Sequence, residues 1–472
     1  MTKDQIDIED VNFILSEVRR VASMSPAEEK KHIEQNPNAS DFLYSLRDEK
    51  TKGEYICGRQ ASRRLVKLAE RHLDRQRELR DNIDPVRLSR RLASLLVIRF
   101  LKEAREVNKS EVQSLLSGAL KQVKAEQKSL IHYIPCVVFD VFGEDQHLTA
   151  KEESKYKQFW IGPVLFCRTS DFLREHKKAI KEDLSTVCNG DAEHIKFMMN
   201  SLVKFFKGYR WVAVVSIPQC NEKISRLRAE TAVQGALDIL KLAFGPGQTA
   251  SIRLAESLTT PADIAQVRRS SPGPFTLMTS RRWADGISIS EGAFDQITNS
   301  KPFSLEAAGS ALNACIDPRK EIHLSRRFLD ALTWYGQAVT ESMPSAKIVK
   351  YVAAWERLTI TQKEEIGLTE KVTRRMAILS HLKKKGDLLN TLKEVKTIYD
   401  WRSKLMHGSS SPFDKQLLGV SSLAGQLTTT ALNRSLEIFV PLAHRDKNAK
   451  ESDLEAEYVR LESALLPARD QH

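Results

Sequence analysis

An arginine and a histidine near the C-terminus have the types and spacing that could act on a phosphodiester. Residues 398–408 read IYDWRSKLMHG, which places Arg402 and His407 five positions apart. A guanidinium is permanently charged and presents a planar fork of donors to a phosphate. An imidazole titrates near neutral pH, so it can accept or donate a proton there. Together the two groups could neutralise a phosphate and move the protons of its reaction.

Residues 388–407 predict an amphipathic helix, and Arg402 falls on its apolar face. At about 100° per residue, Arg402 lies within about 20° of Val395, in the arc that also holds Leu388. A charged group is seldom buried without a partner. That partner could be an internal carboxylate, for which Glu356 is the candidate, or a phosphate, or a subunit interface. The first would make Arg402 a structural ion pair and the second would make it part of a binding cleft.

His407 is followed by Gly408, a pairing typical of a helix C-terminus. The helix dipole there favours a cation, which suits an imidazole acting as a general acid. A histidine before a helix-ending glycine is also a common capping arrangement with no catalytic role. Arg375 and His381 form a second combination of the same kind, and we interpret them mostly as surface residues.

Hydrophobic periodicity divides the chain into four regions that would position this helix. Residues 1–125 predict helices, and residues 126–300 alternate strands with helices, typical of a mixed α/β domain. Residues 301–445 predict amphipathic helices with short connections, typical of an up-and-down bundle. Residues 446–472 form a charged tail, interpreted as a solvent-facing helix or as loosely ordered. The predicted fold class is multidomain α+β.

Composition sets broad limits on the protein. Its 472 residues are 41% apolar and 28% charged, an ordinary soluble composition. The six cysteines show neither paired nor metal-ligand spacing, so we expect reduced buried thiols, no metal site and no cofactor. The sequence has no apolar run long enough to span a membrane, and the acidic N-terminus is unlike a signal peptide. We therefore expect a cytoplasmic protein.

The charge balance favours a polyanionic partner such as RNA. The net charge is +12. Residues 59–105 carry 14 Lys and Arg against 6 Asp and Glu, and residues 371–404 carry 10 against 3. Either stretch could attract a nucleic-acid backbone, or could simply be the solvated face of helices.

Residues 325–442 resemble the HEPN superfamily, specifically its Apea-like branch. The branch has a late helix with an arginine, a serine and a downstream His-Gly, which 398–408 matches. The segment VAAWERL at 352–358 is similar to an apolar-Glu-x-Leu element of the branch, and TEKVTRRMAIL at 369–379 is similar to its Arg-x-Ala element. The resemblance implies an all-α HEPN-type bundle over residues 301–445.

The resemblance also implies a metal-independent endoribonuclease that acts as a homodimer on RNA by attack of the 2′-hydroxyl. Arg402 would stabilise the charge of the phosphorane and His407 would be the general base or acid. The residues expected to support them are Ser403, Glu356 and Tyr399, and those expected to contact RNA are Lys396, Lys404 and Arg375.

Members of such families serve as regulated toxins or anti-phage defence effectors, so a protein or ligand trigger would act on residues 1–300. Two other functions remain open on the sequence: a non-catalytic RNA- or nucleotide-binding protein, and a structural adaptor in which Arg402 only joins helices.

Overall fold

The computed structural model describes the chain apart from residues 1, 26, 29–30, 32–43, 48–52, 102–105, 143–156, 256–262, 270–274, 282–285, 301, 321, 362–366, 382–387, 447–448 and 466–472. The protein is mostly helical and has a small antiparallel sheet, which is compatible with the predicted multidomain α+β class. The described chain divides into two compact units, Met1–Leu130 with Ile217–Leu227, and Ile131–Ser216 with Arg228–His472. This division is coarser than the four regions predicted from the sequence, since the sheet and the C-terminal helices share the second unit.

The described residues of Met1–Glu126 in the first unit form five helices and a pair of antiparallel strands. Its core is formed by the apolar faces of the helices, which pack against one another. The helix that starts at Lys109 is fixed by a capping box between Asn108 and Glu111. The elements are α1 (Lys3–Ala22), β1 (Tyr44–Arg47), β2 (Glu54–Cys57), α2 (Arg59–Asp74), α3 (Arg77–Arg80), α4 (Pro85–Phe100) and α5 (Lys109–Glu126).

Much of the positive charge of the 59–105 stretch is neutralised inside this unit. Asp7 and Asp10 of α1 are buried and accept hydrogen bonds from the arginines of α2 and the residue after it. The Arg71 guanidinium lies 2.9 Å from Asp7 and 2.6 Å from Asp10. Further ion pairs join Arg64 to Asp10, Arg75 to Asp7, Arg80 to Asp74, and Arg87 and Arg91 to Glu126. These arginines therefore contribute less free charge for RNA than their number suggests.

The second unit opens with a five-stranded sheet of order β5-β6-β7-β3-β8. Its pairs β5–β6, β6–β7 and β3–β8 are antiparallel, and β11 separately pairs parallel with β4. The strands are β3 (Lys128–Val137), β4 (Phe139–Phe142), β5 (Gln158–Ile161), β6 (Val164–Arg168), β7 (Trp211–Cys220), β8 (Arg253–Leu254), β9 (Asp263–Arg269), β10 (Phe275–Arg281) and β11 (Ile287–Ser290). The helices among them are α6 (Thr169–Val187), α7 (Ala192–Lys207), α8 (Glu222–Phe244) and α9 (Glu291–Thr298). In the described part of residues 126–300, strands and helices therefore alternate as the sequence predicts.

A close backbone contact joins the β5–β6 turn to the C-terminal helices. Gly162 in that turn has φ 55°, a left-handed conformation that favours glycine. A Cβ at Gly162 would lie 2.0 Å from the carbonyl oxygen of Gly309. The two glycines therefore let the sheet and the helix over 303–311 approach each other closely within the second unit.

The C-terminal helices form a bundle around one apolar core. They are α10 (Phe303–Ala311), α11 (Asn313–Ile316), α12 (His323–Thr340), α13 (Pro344–Thr359), α14 (Leu368–Ser380), α15 (Leu388–Met406), α16 (Leu417–Arg445) and α17 (Glu451–Leu465). The long helix α16 packs against α12, α13 and α14, and α15 packs against α13 and α14. Trp355 is fully buried, and its indole nitrogen donates to Thr428 at 2.7 Å. Short connections and long amphipathic helices thus give the bundle that the periodicity predicts.

The region predicted as a charged tail is instead part of this bundle. Helix α17 buries Leu454, Tyr458 and Glu462, and it packs on α14 and α16. The Tyr458 hydroxyl donates to the carbonyl of Leu358 at 3.0 Å. Charged and apolar residues are mixed throughout this segment, so the buried face of α17 was not predicted from the sequence. Residues 466–472 of the predicted tail lie outside the described residues.

The described cysteines are free thiols, and Cys57, Cys136 and Cys220 are buried. Burial raises the pKa of Cys57 to about 11. Across the described ranges, no helix combines the length and the apolar character that a membrane crossing requires.

We expect the stability of the protein to fall between about pH 4.5 and pH 2, in part through Glu341. This carboxylate joins α12 to α13 and accepts from Lys350 at 2.8 Å and from the Met343 amide at 3.1 Å. The hydrogen bond from Lys350 lowers the pKa of Glu341 to about 2 from 4.5. Because the folded-state pKa is depressed, this stabilisation is present above pH 4.5 and is lost as the pH falls toward 2.

Thermal unfolding of Glu341→Gln across this range tests the assignment. The variant should melt below wild type at pH 7, and the gap should close near pH 2. Glu394→Gln, at an exposed position of α15, should follow the wild-type curve throughout. A constant gap between Glu341→Gln and wild type would contradict the linkage.

Candidate functional site

Helix α15 ends where the sequence predicts, and it leaves His407 at the protein surface. Gly408 has φ 70°, in the left-handed region that terminates many helices. The His407 amide donates to the Ser403 carbonyl at 3.0 Å, and the Ser409 amide donates to Lys404 at 2.9 Å. The His407 side chain is exposed, and its ring makes no hydrogen bond with any residue that the structure describes.

Arg402 is held by a carboxylate from the neighbouring helix α13. Its Nη2 lies 3.1 Å from Oε1 of Glu356, and the Tyr399 hydroxyl donates to the same oxygen at 3.0 Å. The guanidinium carbon lies 5.7 Å from the centroid of the Tyr399 ring. Of the partners considered for Arg402, the internal carboxylate Glu356 is therefore present, and Tyr399 is the third member of this cluster.

The cluster is only half-buried, which leaves part of the guanidinium open. The side chains of Arg402 and Glu356 are 28% and 22% exposed. Within the described part of the chain, Nη2 carries the contacts with Glu356 and Nη1 has no hydrogen-bond partner. The Nε atom is buried without a partner there. A ligand could thus reach one edge of the guanidinium while Glu356 holds the other.

Burial and the charges of this cluster shift the pKa of the Tyr399 phenol. Burial raises the pKa of the Tyr399 phenol, and the neighbouring Glu356 carboxylate raises this pKa further. The Arg402 cation acts in the opposite direction. The phenol therefore stays protonated near neutral pH and serves as a hydrogen-bond donor that orients Glu356.

Arg402 and His407 do not contact each other within the chain. Among the described residues no hydrogen bond or ion pair joins their side chains, and their spacing puts them about 140° apart on the helix. Arg402 nevertheless lies in the last two turns of α15, and His407 directly follows its last residue. A substrate that touches both groups would have to span this end of the helix or lie between two copies of it.

The other predicted site residues occupy the same end of α15 or its exposed face. Ser403 is half-buried, and its carbonyl accepts the His407 amide hydrogen bond. Lys396 and Lys404 are exposed, and the Lys404 ammonium lies 5.5 Å from the Trp401 ring centroid. The two lysines could therefore contact a polyanion, as predicted.

The prediction that Arg375 lies on the surface and contacts RNA is corrected by the structure. Arg375 is 1% exposed. Its Nε lies 2.9 Å from Glu462, its Nη2 lies 2.6 Å from Glu455, and its Nη1 donates to the Thr359 carbonyl at 2.7 Å. Tyr458 covers the guanidinium at 4.9 Å. With its donors satisfied in the core, Arg375 joins α17 to α14 and is inaccessible to a nucleic acid.

A signal for this ion-pair cluster was present in the sequence. Arg375 lies between Val372, Met376 and Leu379 on an apolar helix face, as Arg402 does on α15. Arg327 of α12 has the same placement, since it is 1% exposed and its Nη2 lies 2.7 Å from Glu451 of α17. Helix periodicity therefore indicates that each of these arginines needs a partner, but it does not indicate which helix supplies the carboxylate.

In the parts of the chain that the structure describes, no group of three or more His, Cys, Asp or Glu side chains is arranged to hold a metal ion. The arrangement at the end of α15 can instead supply a fixed guanidinium, an exposed imidazole and exposed lysines.

Comparison with known proteins leaves the site to be interpreted on its own geometry. No family model, no curated protein and no solved structure matches this chain.

We expect Arg375→Met to cost about 3–5 kcal/mol of stability, because it removes the closest cation from Glu455 and Glu462 and leaves them the longer contacts with Lys371 and Arg374. Arg402→Met removes an ion pair that is about a quarter exposed, so it should cost about 1 kcal/mol or less. Urea unfolding of both variants beside wild type measures the difference.

The triple variant Arg375→Met, Glu455→Gln, Glu462→Gln also removes the two carboxylate charges that lose their closest cation, and it should recover most of the lost stability. An Arg402→Met variant as unstable as Arg375→Met would show that Arg402 is mainly a structural residue.

Proposed function

We propose that the C-terminal bundle is a HEPN-type endoribonuclease in which Arg402 and His407 act on a phosphodiester of RNA. The observation that carries the proposal is the contrast among three arginines on apolar helix faces. Arg327 and Arg375 are each 1% exposed, whereas Arg402 is 28% exposed and is oriented by Glu356 at the helix end that carries an exposed histidine. The resemblance of 398–408 to the Apea-like motif supports the same assignment.

The reaction proposed is an intramolecular transesterification, in which the 2′-hydroxyl of a ribose attacks the phosphodiester on the 3′-oxygen of the same ribose. The 2′-hydroxyl oxygen bonds to phosphorus while the bond from phosphorus to the 5′-oxygen of the next nucleotide breaks. A neutral imidazole takes the 2′-hydroxyl proton, and an imidazolium donates a proton to the leaving 5′-oxygen. The products are a 2′,3′-cyclic phosphate and a 5′-hydroxyl, and neither water nor a metal ion is consumed.

Arg402 would stabilise the additional negative charge that builds on the phosphorus-bound oxygens. Its Nη1 edge is the group offered to those oxygens, while Glu356 and Tyr399 hold the guanidinium in place. Holding the donor in advance reduces the reorganisation needed in the transition state. Lys396 and Lys404 would contribute backbone attraction that is independent of sequence.

The active form would be a homodimer in which the ends of two α15 helices meet. His407 occurs once per chain, and the reaction uses one base and one acid, so two copies would supply both. Large exposed apolar side chains close to His407 in sequence support such a contact. Met406, Phe413 and Leu418 are 58%, 81% and 67% exposed, and exposed apolar surface can mark an interaction site.

A non-catalytic RNA-binding protein is the second candidate, and the ion pair of Arg402 with Glu356 favours it. A paired arginine carries less net attraction for phosphate, and binding alone does not require the imidazole.

If the protein is a nuclease, it would be a cytoplasmic toxin or anti-phage defence effector whose activity is controlled by a trigger acting on residues 1–300.

We expect His407→Ala to abolish RNA cleavage, with a loss of at least about 10²-fold, because proton transfer is removed. Its retention of RNA should stay close to wild type. Purified protein incubated with total RNA in EDTA, followed by analysis of the RNA ends, measures the cleavage, and a filter-binding assay measures the retention.

His381→Ala is the matched control, because His381 follows the neighbouring helix α14 in the same way and should be dispensable. Equal cleavage by wild type and His407→Ala would refute the nuclease. RNA retention by wild type with no cleavage at all would favour the binding protein.

We expect Phe413→Ser to weaken the homodimer, since it removes the most exposed of the three apolar side chains. Light scattering should show a shift toward monomer, and cleavage should decline in parallel. Phe303→Ser, which changes an exposed phenylalanine at the start of α10, should leave both unchanged. A fully active Phe413→Ser monomer would exclude a cleft shared between two copies.

A further inference from the structure

A basic cavity lies at the start of helix α6, in the part of the chain that carries the sheet. Its volume is about 560 Å³, within the range of small-molecule sites. Five cationic side chains line it against a single carboxylate, that of Asp171. The cations are Lys157, Arg168, Arg174, Lys207 and Arg210.

Two of these arginines have carboxylate partners, and the lysines supply further charge. Arg174 lies 2.6 Å from Asp171, and Arg210 forms an ion pair with Asp140. Lys157 and Lys207 are exposed, so the mouth of the cavity stays positive. A surplus of cations around one surface attracts anions, because a bound anion offsets the repulsion among the cations.

The end of α6 adds the positive pole of a helix to this cavity. The residue at its N-cap is Arg168, whose side chain has no oxygen, and no side-chain capping hydrogen bond is present. Aspartate, asparagine, serine or threonine normally fills this position and accepts from the first-turn amides. Helix N-termini without such a cap are a common setting for bound phosphate.

A buried hydroxyl at the same place is an independent indication of a ligand. Thr169 lines the cavity and is 5% exposed, and its Oγ1 has no hydrogen-bond partner among the residues that the structure describes. The Thr169 amide is already used, since it donates to the Arg210 carbonyl at 2.9 Å. A buried hydroxyl without a partner is costly, so a ligand atom that accepts its proton would remove a defect.

We infer that this cavity binds the diphosphate or triphosphate group of a small molecule, with the Thr169 hydroxyl and the α6 amides around one phosphate and Lys157 and Lys207 at its mouth. The charge of the lining exceeds what one monoanion would balance. The buried hydroxyl favours a compact ligand over an extended RNA strand, which would use a groove with exposed aromatic platforms. This inference is independent of the nuclease proposal.

The test is calorimetric titration of the full-length protein with inorganic pyrophosphate, with ATP, with adenosine and with a single-stranded RNA oligomer. Pyrophosphate and ATP should bind and adenosine should not. Lys157→Ala with Lys207→Ala should weaken pyrophosphate binding at least about tenfold, because two charge-assisted contacts are lost. Lys177→Ala with Lys181→Ala removes the same charge from the later turns of α6 and should change the affinity less than about twofold.

Thr169→Val separates ligand binding from folding. The variant should bind pyrophosphate about tenfold more weakly, yet it should melt at or above the wild-type temperature because an unsatisfied buried hydroxyl is gone. No binding of pyrophosphate or ATP by wild type would overturn the inference. An equal loss of pyrophosphate affinity in the two double-lysine variants would also overturn it. So would binding of the RNA oligomer without binding of pyrophosphate or ATP.

Discussion

The permanent charge of arginine is the constraint on which the C-terminal bundle depends. Three helices carry an arginine on an apolar face, and a guanidinium does not lose its proton to escape burial. Each therefore needs a carboxylate from another helix. Arg327 and Arg375 receive theirs from α17, and Arg402 receives its partner from α13. The carboxylates are Glu451 for the first, Glu455 and Glu462 for the second, and Glu356 for the third.

The same interaction has different consequences at different depths. Around Arg375 the guanidinium donors are satisfied inside the core, so the cluster fixes α17 against α14. Around Arg402 the pair lies at the surface. Glu356 therefore orients the guanidinium, while Nη1 has no hydrogen-bond partner among the described residues. Glu356 also offsets the positive charge of Arg402, so in the proposed function the exposed lysines would attract a phosphate before it meets the arginine. Orientation and attraction are thereby assigned to different side chains.

The local features of the site follow from short-range rules and were predictable. The end of α15 at Gly408 depends on helix periodicity and on the conformational freedom of glycine, and the cost of burying a charge indicated that Arg402 needs a partner, for which Glu356 was one candidate. The strands near residues 132–142 and 211–217 were predictable from their β-branched and aromatic residues. Arg375 was misassigned because the lysines that follow it suggested a surface helix end, although its own flanking residues are apolar.

The sequence by itself determined the mostly helical composition, the strands of the middle region, the helix that carries Arg402 and the need of that arginine for a partner. These properties arise from contacts within a few residues, which periodicity and capping record directly. Only the tertiary structure decided that residues 451–465 belong to the bundle, that Arg375 is buried and Arg402 half-exposed, and that residues 157, 168, 169 and 207 surround one cavity. The burial of a side chain, and the set of residues that meet at one cavity, depend on which distant helices and strands pack together. The pattern of residues along the chain does not specify this packing.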